Sequence, residues 1–441
     1  MCICAANLAI LMIVEGEKMV GCPGEPKSIA DVDVFSPEAI ENWYPTYDLL
    51  RSESPIYHVP DTRTYFLTRY EDIYNVLRQT DLFLRGAGKS RPLISDKEAQ
   101  DYFNENGWKK MSVLGSNPPN HRRYRDMVDH FFSVKGAQKQ TDLIAEIANH
   151  LIDNWIDDGE VEYVTQFAEL LPSMVITVMM GFPLEDLERL KVWSEAWVAP
   201  FSLQLDVEQE REVSRLMVEF QHYIYSHIQD RRENPKEDLT DDVVSYLVHT
   251  PVNLHSGKRM LTDTEIINMI DHLYIGGNET TTFALTSGLW LLIENPELQK
   301  TLVENPKLIR TFVEEVLRLE SPTQGMDRHA AEDTEIAGIP IPKGSHIHMR
   351  YAAANRDKKQ FECPANLELE RENASKHLAF SIGETHCPGA GLTRLEQNIA
   401  TEIILKRLKN FRFSEGKNSF QHHMNFTLRS FTDLHVTFDK C

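Results

Sequence analysis

Two kinds of hydrophobic pattern divide this 441-residue chain. Near the start, SPIYHV and TYFLTRY alternate apolar and polar positions, carry β-branched and aromatic residues and flank the turn PDTR, so they predict a hairpin. From about residue 137 to 320 the period lengthens. KQTDLIAEIANHLIDNWI, FAELLPSMVITVMMG, EQEREVSRLMVEFQHYIYSHIQDRR and TEIINMIDHLYIGG place apolar residues three to four apart, as helices with one buried face do. After Pro322 come short segments punctuated by Gly and Pro, such as TEIAGIPIPKGSHIHM, then a cysteine-bearing loop and the last helices. With no internal repeat and no Gly/Ser linker, the expected fold is mainly α with small β-sheets. Residues 35–441 are expected to form a single domain behind a leader or tail at 1–34.

One helix stands out. Thr262 and Glu265 have capping-box spacing, and apolar residues then continue until Asn295-Pro296. Such a helix has about 30 residues, spans roughly 45 Å and must run through the core. Its middle reads Gly276-Gly277-Asn278-Glu279-Thr280-Thr281-Thr282, where propensity would favour Ala and Leu. Something other than helix stability selects those residues.

The net charge of −21 disfavours nucleic acid as a partner. Six cysteines, at positions 2, 4, 22, 363, 387 and 441, form no disulfide framework and suit a reducing compartment. Cys2, Cys4 and Cys22 lack the matching His or Cys pair of a zinc finger. The apolar run ICAANLAILMIV covers only about a dozen residues against the roughly 20 that a span needs, and it lacks a basic flank. No membrane span and a cytoplasmic location are therefore expected, with Met19 an alternative native start.

The stretch FSIGETHCPGAGLTR wraps one cysteine between glycines. Pro388 is preorganised for a first helical position and a good helix follows, so Cys387 is read as lying at the N-cap. The unpaired N–H groups and positive dipole end there would push its thiol towards thiolate, a metal ligand or a nucleophile. No GxCxG elbow accompanies it, although His386 is adjacent. A single thiolate presented by a loop suits an axial position on haem iron.

At this point the sequence resembles the cytochrome P450 family, of the soluble bacterial type, with Phe380, Gly383, Cys387, Gly389 and Arg394 in register with the family's cysteine loop. One departure is that Thr385 stands where the family usually has a basic residue, with His386 one place later. Glu315 and Arg318 lie three apart on one helix face, a pair that alone means little. The resemblance makes it a buried anchor, with Arg371 as its third member. It also implies that Gly276 and Gly277 let the central helix pass close over a haem, Gly277 making room for dioxygen. Thr280 would offer a hydroxyl to orient water, and Glu279 would feed protons inward. His121 and Arg125, one turn apart, would reach the haem propionates together with Arg328. The likeness runs from about residue 35 to the end, including IPIPKG, AANRD and LHVTF.

The resemblance implies a helix-rich triangular prism holding haem b (iron protoporphyrin IX) between the central helix and the helix after Cys387, which is the metal ligand. Thiolate ligation favours O–O cleavage, so the expected reaction is monooxygenation of a small organic substrate, by hydroxylation or oxidative O- or N-demethylation. Electrons would come from a ferredoxin or flavodoxin with its reductase, docking on a basic face formed by His121 to Arg125 with Lys406, Arg407 and Lys409. The alternatives are a peroxide-driven peroxygenase, which has less need of the Glu279–Thr280 pair, and a haem-thiolate sensor or carrier. The substrate pocket would be lined by the segment DLFLRGAGKSRPLISDKEAQDYFNENGWKKMSVLGS, the loop VAPFSLQLDVEQE and the strand after Arg318.

Overall fold

The computed structural model describes residues 26–86, 94–201 and 205–441. Cys2, Cys4, Cys22 and Met19 lie outside the described residues, as does most of the expected leader. Val34, within that expected leader, is already buried, beside Trp43 and Tyr47.

The N-terminal hairpin forms as the alternation predicts: Ile56–His58 pairs antiparallel with Thr64–Leu67 in the register Ile56 to Leu67. His346–Met349 adds in parallel to Thr64–Leu67, and Met326–Ala330 and Phe83–Leu84 complete a five-stranded sheet. Pairing with Ile347 in the next strand fixes the position of Arg328 within the sheet.

Helices dominate the rest. The expected segments appear as Thr141–Asp153, Leu170–Met180, Val207–Glu233 and Asp263–Glu294. The last of these is the central helix, 32 residues long. Its start follows the sequence signal, since the Thr262 hydroxyl accepts from Glu265 N–H at 3.2 Å and Glu265 accepts from Thr262 N–H at 2.8 Å. These two bonds satisfy N–H groups that the first turn leaves unpaired. Most of the helix is buried in the main apolar core, which also includes Val316 and Phe312 from Ile309–Leu319 and Leu392 and Ile404 from Ala390–Arg407. Among the described residues no helix is long and apolar enough to cross a membrane.

Glu315 and Arg318 sit on Ile309–Leu319 with both side chains at 0% exposure. Arg318 donates to both Glu315 oxygens, at 2.6 and 2.9 Å, and its remaining donors reach the carbonyls of Asn355, Pro364 and Asn366. Arg371 adds a bond to Glu315 at 3.1 Å and donates to the carbonyl of Glu362. The triad therefore binds an irregular stretch of main chain whose carbonyls would otherwise be buried without partners.

Candidate functional site

The cysteine loop is held from both sides. Cys387 N–H donates to the Phe380 carbonyl at 2.8 Å, closing the loop on itself, and Gly383 turns it with a φ of +62°, in the left-handed region that glycine favours. The Phe380 ring lies under the Arg394 guanidinium, 4.6 Å from its centroid. Arg394 in turn donates to both oxygens of Glu314, at 2.6 and 3.0 Å, while His377 bonds the same carboxylate at 3.1 Å. Glu314 and Glu315 thus clamp different segments from one helix. Glu314, Arg394's partner, is missing from the sequence reading because adjacent helical positions face directions about 100° apart.

Burial alone would raise the Glu314 carboxyl, but His377 and Arg394 overcome it and hold the group at about 2, well below 4.5. Its stabilising effect is therefore complete above pH 4.5 and is lost as pH falls towards 2. Glu314→Gln is expected to lower the melting temperature at neutral pH and to flatten the acid-side loss of stability. Thermal melts across that pH range check both effects.

Cys387 departs from its expected placement. The helix is capped by Gly389, so the cysteine precedes the N-cap by two residues and Pro388 is not its first helical residue. The net effect on the thiol is also opposite to expectation, because burial raises its proton affinity and outweighs bonds from the N–H groups of Gly389 and Ala390 and the fields of Arg125 and Arg394. A bound metal would be needed to keep this sulfur deprotonated. A Cβ at Gly389 would stand 3.8 Å from Sγ, an ordinary contact, whereas one at Gly391 would press on the Phe132 carbonyl at 2.9 Å. Close approach therefore requires Gly391 more than Gly389.

On the central helix the two glycines separate in role. Gly276 faces open space, with nothing within 4 Å of the point where a Cβ would stand, while a Cβ on Gly277 would meet Ile176 at 3.1 Å. Gly277 therefore lets the helix Leu170–Met180 pack close, so the open side expected at Gly277 lies at Gly276 instead. His272, Gly276 and Thr280 recur at four-residue spacing, and all three are more open than their buried neighbours. The Thr280 hydroxyl donates to the Gly276 carbonyl at 3.0 Å. Although its side chain is open, the surrounding protein and then the charges of Lys110, Arg125 and Arg85 lower His272 to about 4, so its ring is neutral near pH 7. The sequence reading missed His272, although the period from Gly276 and Thr280 marks it. Glu279 does not share that face: it accepts from Ser194 at 2.9 Å.

The expected propionate ligands His121, Arg125 and Arg328 are all buried, and the half-buried Arg85 lies beside them. Arg85 sits just beyond the short strand Phe83–Leu84, where its main chain exchanges hydrogen bonds with the Asn117 side chain, both at 2.9 Å. Its guanidinium meets His121 Nε2 at 3.2 Å and the Ser116 carbonyl. Arg125 donates to Asp129 at 2.7 Å and to the His386 carbonyl at 3.0 Å, tying this group to the cysteine loop. Burial, then Arg328 and Arg125, push Arg85 down to about 10, and burial with Arg85 and Arg125 pushes His121 down to about 4. His121 Nδ1 has no partner. Three guanidinium groups crowded beside an unsatisfied imidazole form a cradle for a dianion. Together with the thiol of Cys387 and the open face at Gly276, that donor set fits a haem with its two propionates.

Thr385, the departure from the family pattern, bonds Ser381 at 2.9 Å, and His386 Nδ1 meets the Ser381 carbonyl at 3.2 Å. Both contacts lie within the loop, and Arg85 brings a further cation to the cradle. Of the residues expected to form a basic face, some are buried and others are paired with carboxylates. His121 and Arg125 are buried, Arg122 pairs with Asp126 and Asp129, Lys406 with Glu402, and Arg407 with Asp153. The two expected pocket loops fall partly outside the described residues.

Known proteins match this arrangement over nearly its whole length. The family model for Cytochrome P450 matches residues 55–431. The "Biotin biosynthesis cytochrome P450" of Bacillus subtilis (strain 168) is 30% identical over 406 residues, 92% of this chain and 98% of that protein. "Cytochrome P450(MEG)" of Priestia megaterium is 31% identical over 384 residues, 86% and 89% of the two chains. Among solved structures, P450BioI in complex with an acyl carrier protein superposes with a TM-score of 0.80 at 30% identity, covering 91% of this chain and 99% of that one. The Bacillus subtilis 168 bacillaene polyketide synthase cytochrome P450 PksS gives 0.79 at 28%, covering 93% and 100%. This chain belongs to the cytochrome P450 family, and is a haem b-dependent monooxygenase.

Proposed function

We propose that the enzyme inserts one atom of dioxygen into a small organic substrate, by hydroxylation or oxidative O- or N-demethylation, with Cys387 as the iron ligand. The observation that supports this reading is that Arg125 acts at once on the buried Cys387 thiol, on Arg85 beside Arg328, and on His272, which shares a helix face with the open Gly276 and Thr280. When bound through the thiolate, haem supplies dioxygen activation and O–O cleavage.

The chain's own residues then do three things. The cradle orients the group and neutralises its carboxylates. Gly276 and Thr280 border the space where substrate and dioxygen meet, and the Thr280 hydroxyl, donating to Gly276, is placed to accept a proton from one side and pass one to the other. Glu279 holds a proton for that purpose. Burial pushes its carboxyl up to about 7, against the pull of Ser194 and with help from Glu169 and Glu195, so it gains and loses protons near neutrality. This acid and hydroxyl favour dioxygen over peroxide as the oxidant.

Electrons are assigned to a ferredoxin or flavodoxin with its reductase. A groove of about 1390 Å³ opens beside the cysteine loop, lined by Ile382, His386 and Arg394 together with Arg69, Arg78 and Lys376. Its walls also carry Glu71 and Asp72, so recognition there would rest on a mixed pattern of charge.

With isotopically labelled dioxygen, NADH and surrogate partners, a compound that converts the iron's spin state is expected to acquire one labelled atom. Glu279→Gln should slow this turnover by on the order of 10²-fold while sparing the peroxide-driven reaction. Equal loss in both reactions would contradict the proton role.

A further inference from the structure

A carboxylate drawn into the protein is ordinarily held by a cation, yet among the described residues no Lys, Arg or His forms an ion pair with the half-buried Glu279. A chain of neutral groups reaches it instead. Ser173 donates to Asn278 Oδ1 at 2.7 Å, Asn278 Nδ2 donates to Ser194 Oγ at 3.3 Å, and Ser194 donates to Glu279 Oε1 at 2.9 Å. Ser173, Ser194 and Asn278 are all within 2% of full burial, so water does not compete for the bonds among them, while Glu279 itself is half-buried.

The Ser173 hydroxyl is shared, since it also donates to the Glu169 carbonyl. With Asn278 Nδ2 turned to Ser194, as the bond at 3.3 Å has it, Ser194 accepts there and its single hydrogen is left for Glu279. The three residues come from three separate helices, Leu170–Met180, Leu187–Val198 and Asp263–Glu294, so the bond is fixed by packing and not by one flexible segment.

We propose that Ser194 is a positioning residue for proton supply: it orients the Glu279 carboxylate and sets how readily that group releases its proton, a role that rests on the assignment of Glu279 above. The charged and titratable groups around Glu279 are Glu195 and Lys191 on Ser194's own helix, Glu169 on the neighbouring turn and Tyr274 on the central helix. Lys191 is engaged with Glu169 at 3.0 Å. The two acids favour the protonated form of Glu279, and Ser194 provides the opposing hydrogen bond to the charged form. Without its hydroxyl, Glu279 would keep its proton to higher pH and release it more slowly.

The test uses the haem-loaded full chain and needs no substrate. Infrared titration follows the protonated carboxyl band, identified as the one absent in Glu279→Gln. In Ser194→Ala its midpoint is expected to rise by about one pH unit. The pH profile of dioxygen consumption with surrogate partners should shift the same way, with a larger solvent isotope effect. Ser194→Thr, which keeps the hydroxyl, should restore the wild-type midpoint. Ser173→Ala, which only loosens Asn278, should give a smaller rise and serves if Ser194→Ala loads haem poorly. An unchanged midpoint in both alanine variants overturns the proposal. The carbon monoxide spectrum of each sample is read alongside. Its failure in the wild type would sink the haem-thiolate reading, whereas the infrared midpoint judges Ser194 alone.

Discussion

Arg318→Ala is expected to cost on the order of 3–5 kcal/mol and to leave little soluble, haem-loaded protein, because it removes the bidentate partner of a fully buried carboxylate and leaves Glu315 to Arg371 alone. The loss goes beyond the pair. Arg318 also donates to three main-chain carbonyls, and Glu315 accepts from Arg371 and from Glu368 N–H, so cutting it releases the whole stretch from Asn355 to Arg371. Arg318→Lys keeps the charge but not the planar fork that reaches both Glu315 oxygens, and should lie between the wild type and Arg318→Ala. Thermal unfolding and the yield of haem-loaded protein measure the series. A melting temperature for Arg318→Ala within a few degrees of the wild type would show that the triad is not what fastens this segment.

Cys387→Ala is expected to have the largest effect on chemistry, with dioxygen-driven turnover lost. The fold should persist, since the loop is closed by the Cys387 N–H bond to Phe380, which alanine keeps, and by the Arg394–Glu314 clamp. Haem can still be drawn in by Arg85, Arg125 and Arg328, so the variant should retain some pigment with altered ligation. Loss of activity with retained haem separates a ligand role from a structural one.

Different parts of this design were legible to different degrees. The central helix was readable because its start and stop are local: a capping box at Thr262–Glu265 and Asn295-Pro296 at the end. The cysteine loop was readable as a pattern of residues in fixed register. What escaped depends on neighbours distant in sequence. Which of Gly276 and Gly277 is the open one is decided by Ile176, about a hundred positions away. Arg85 is a single arginine at the end of a two-residue strand, with nothing local to mark it. The proton affinity of Cys387 was misjudged because the dipole is visible in sequence while burial, the stronger effect here, is not. Ser194 lies on a helix whose contact with Glu279 exists only after the chain folds.

The most direct measurement is the absorption spectrum of the reduced, carbon monoxide-bound protein, for wild type and Cys387→Ala purified with haem supplementation. The wild type should show the strongly red-shifted Soret band of thiolate-ligated iron, and the variant should lack it. A colourless wild-type protein, or the same red-shifted band in both samples, would contradict ligation by Cys387 and everything built on it.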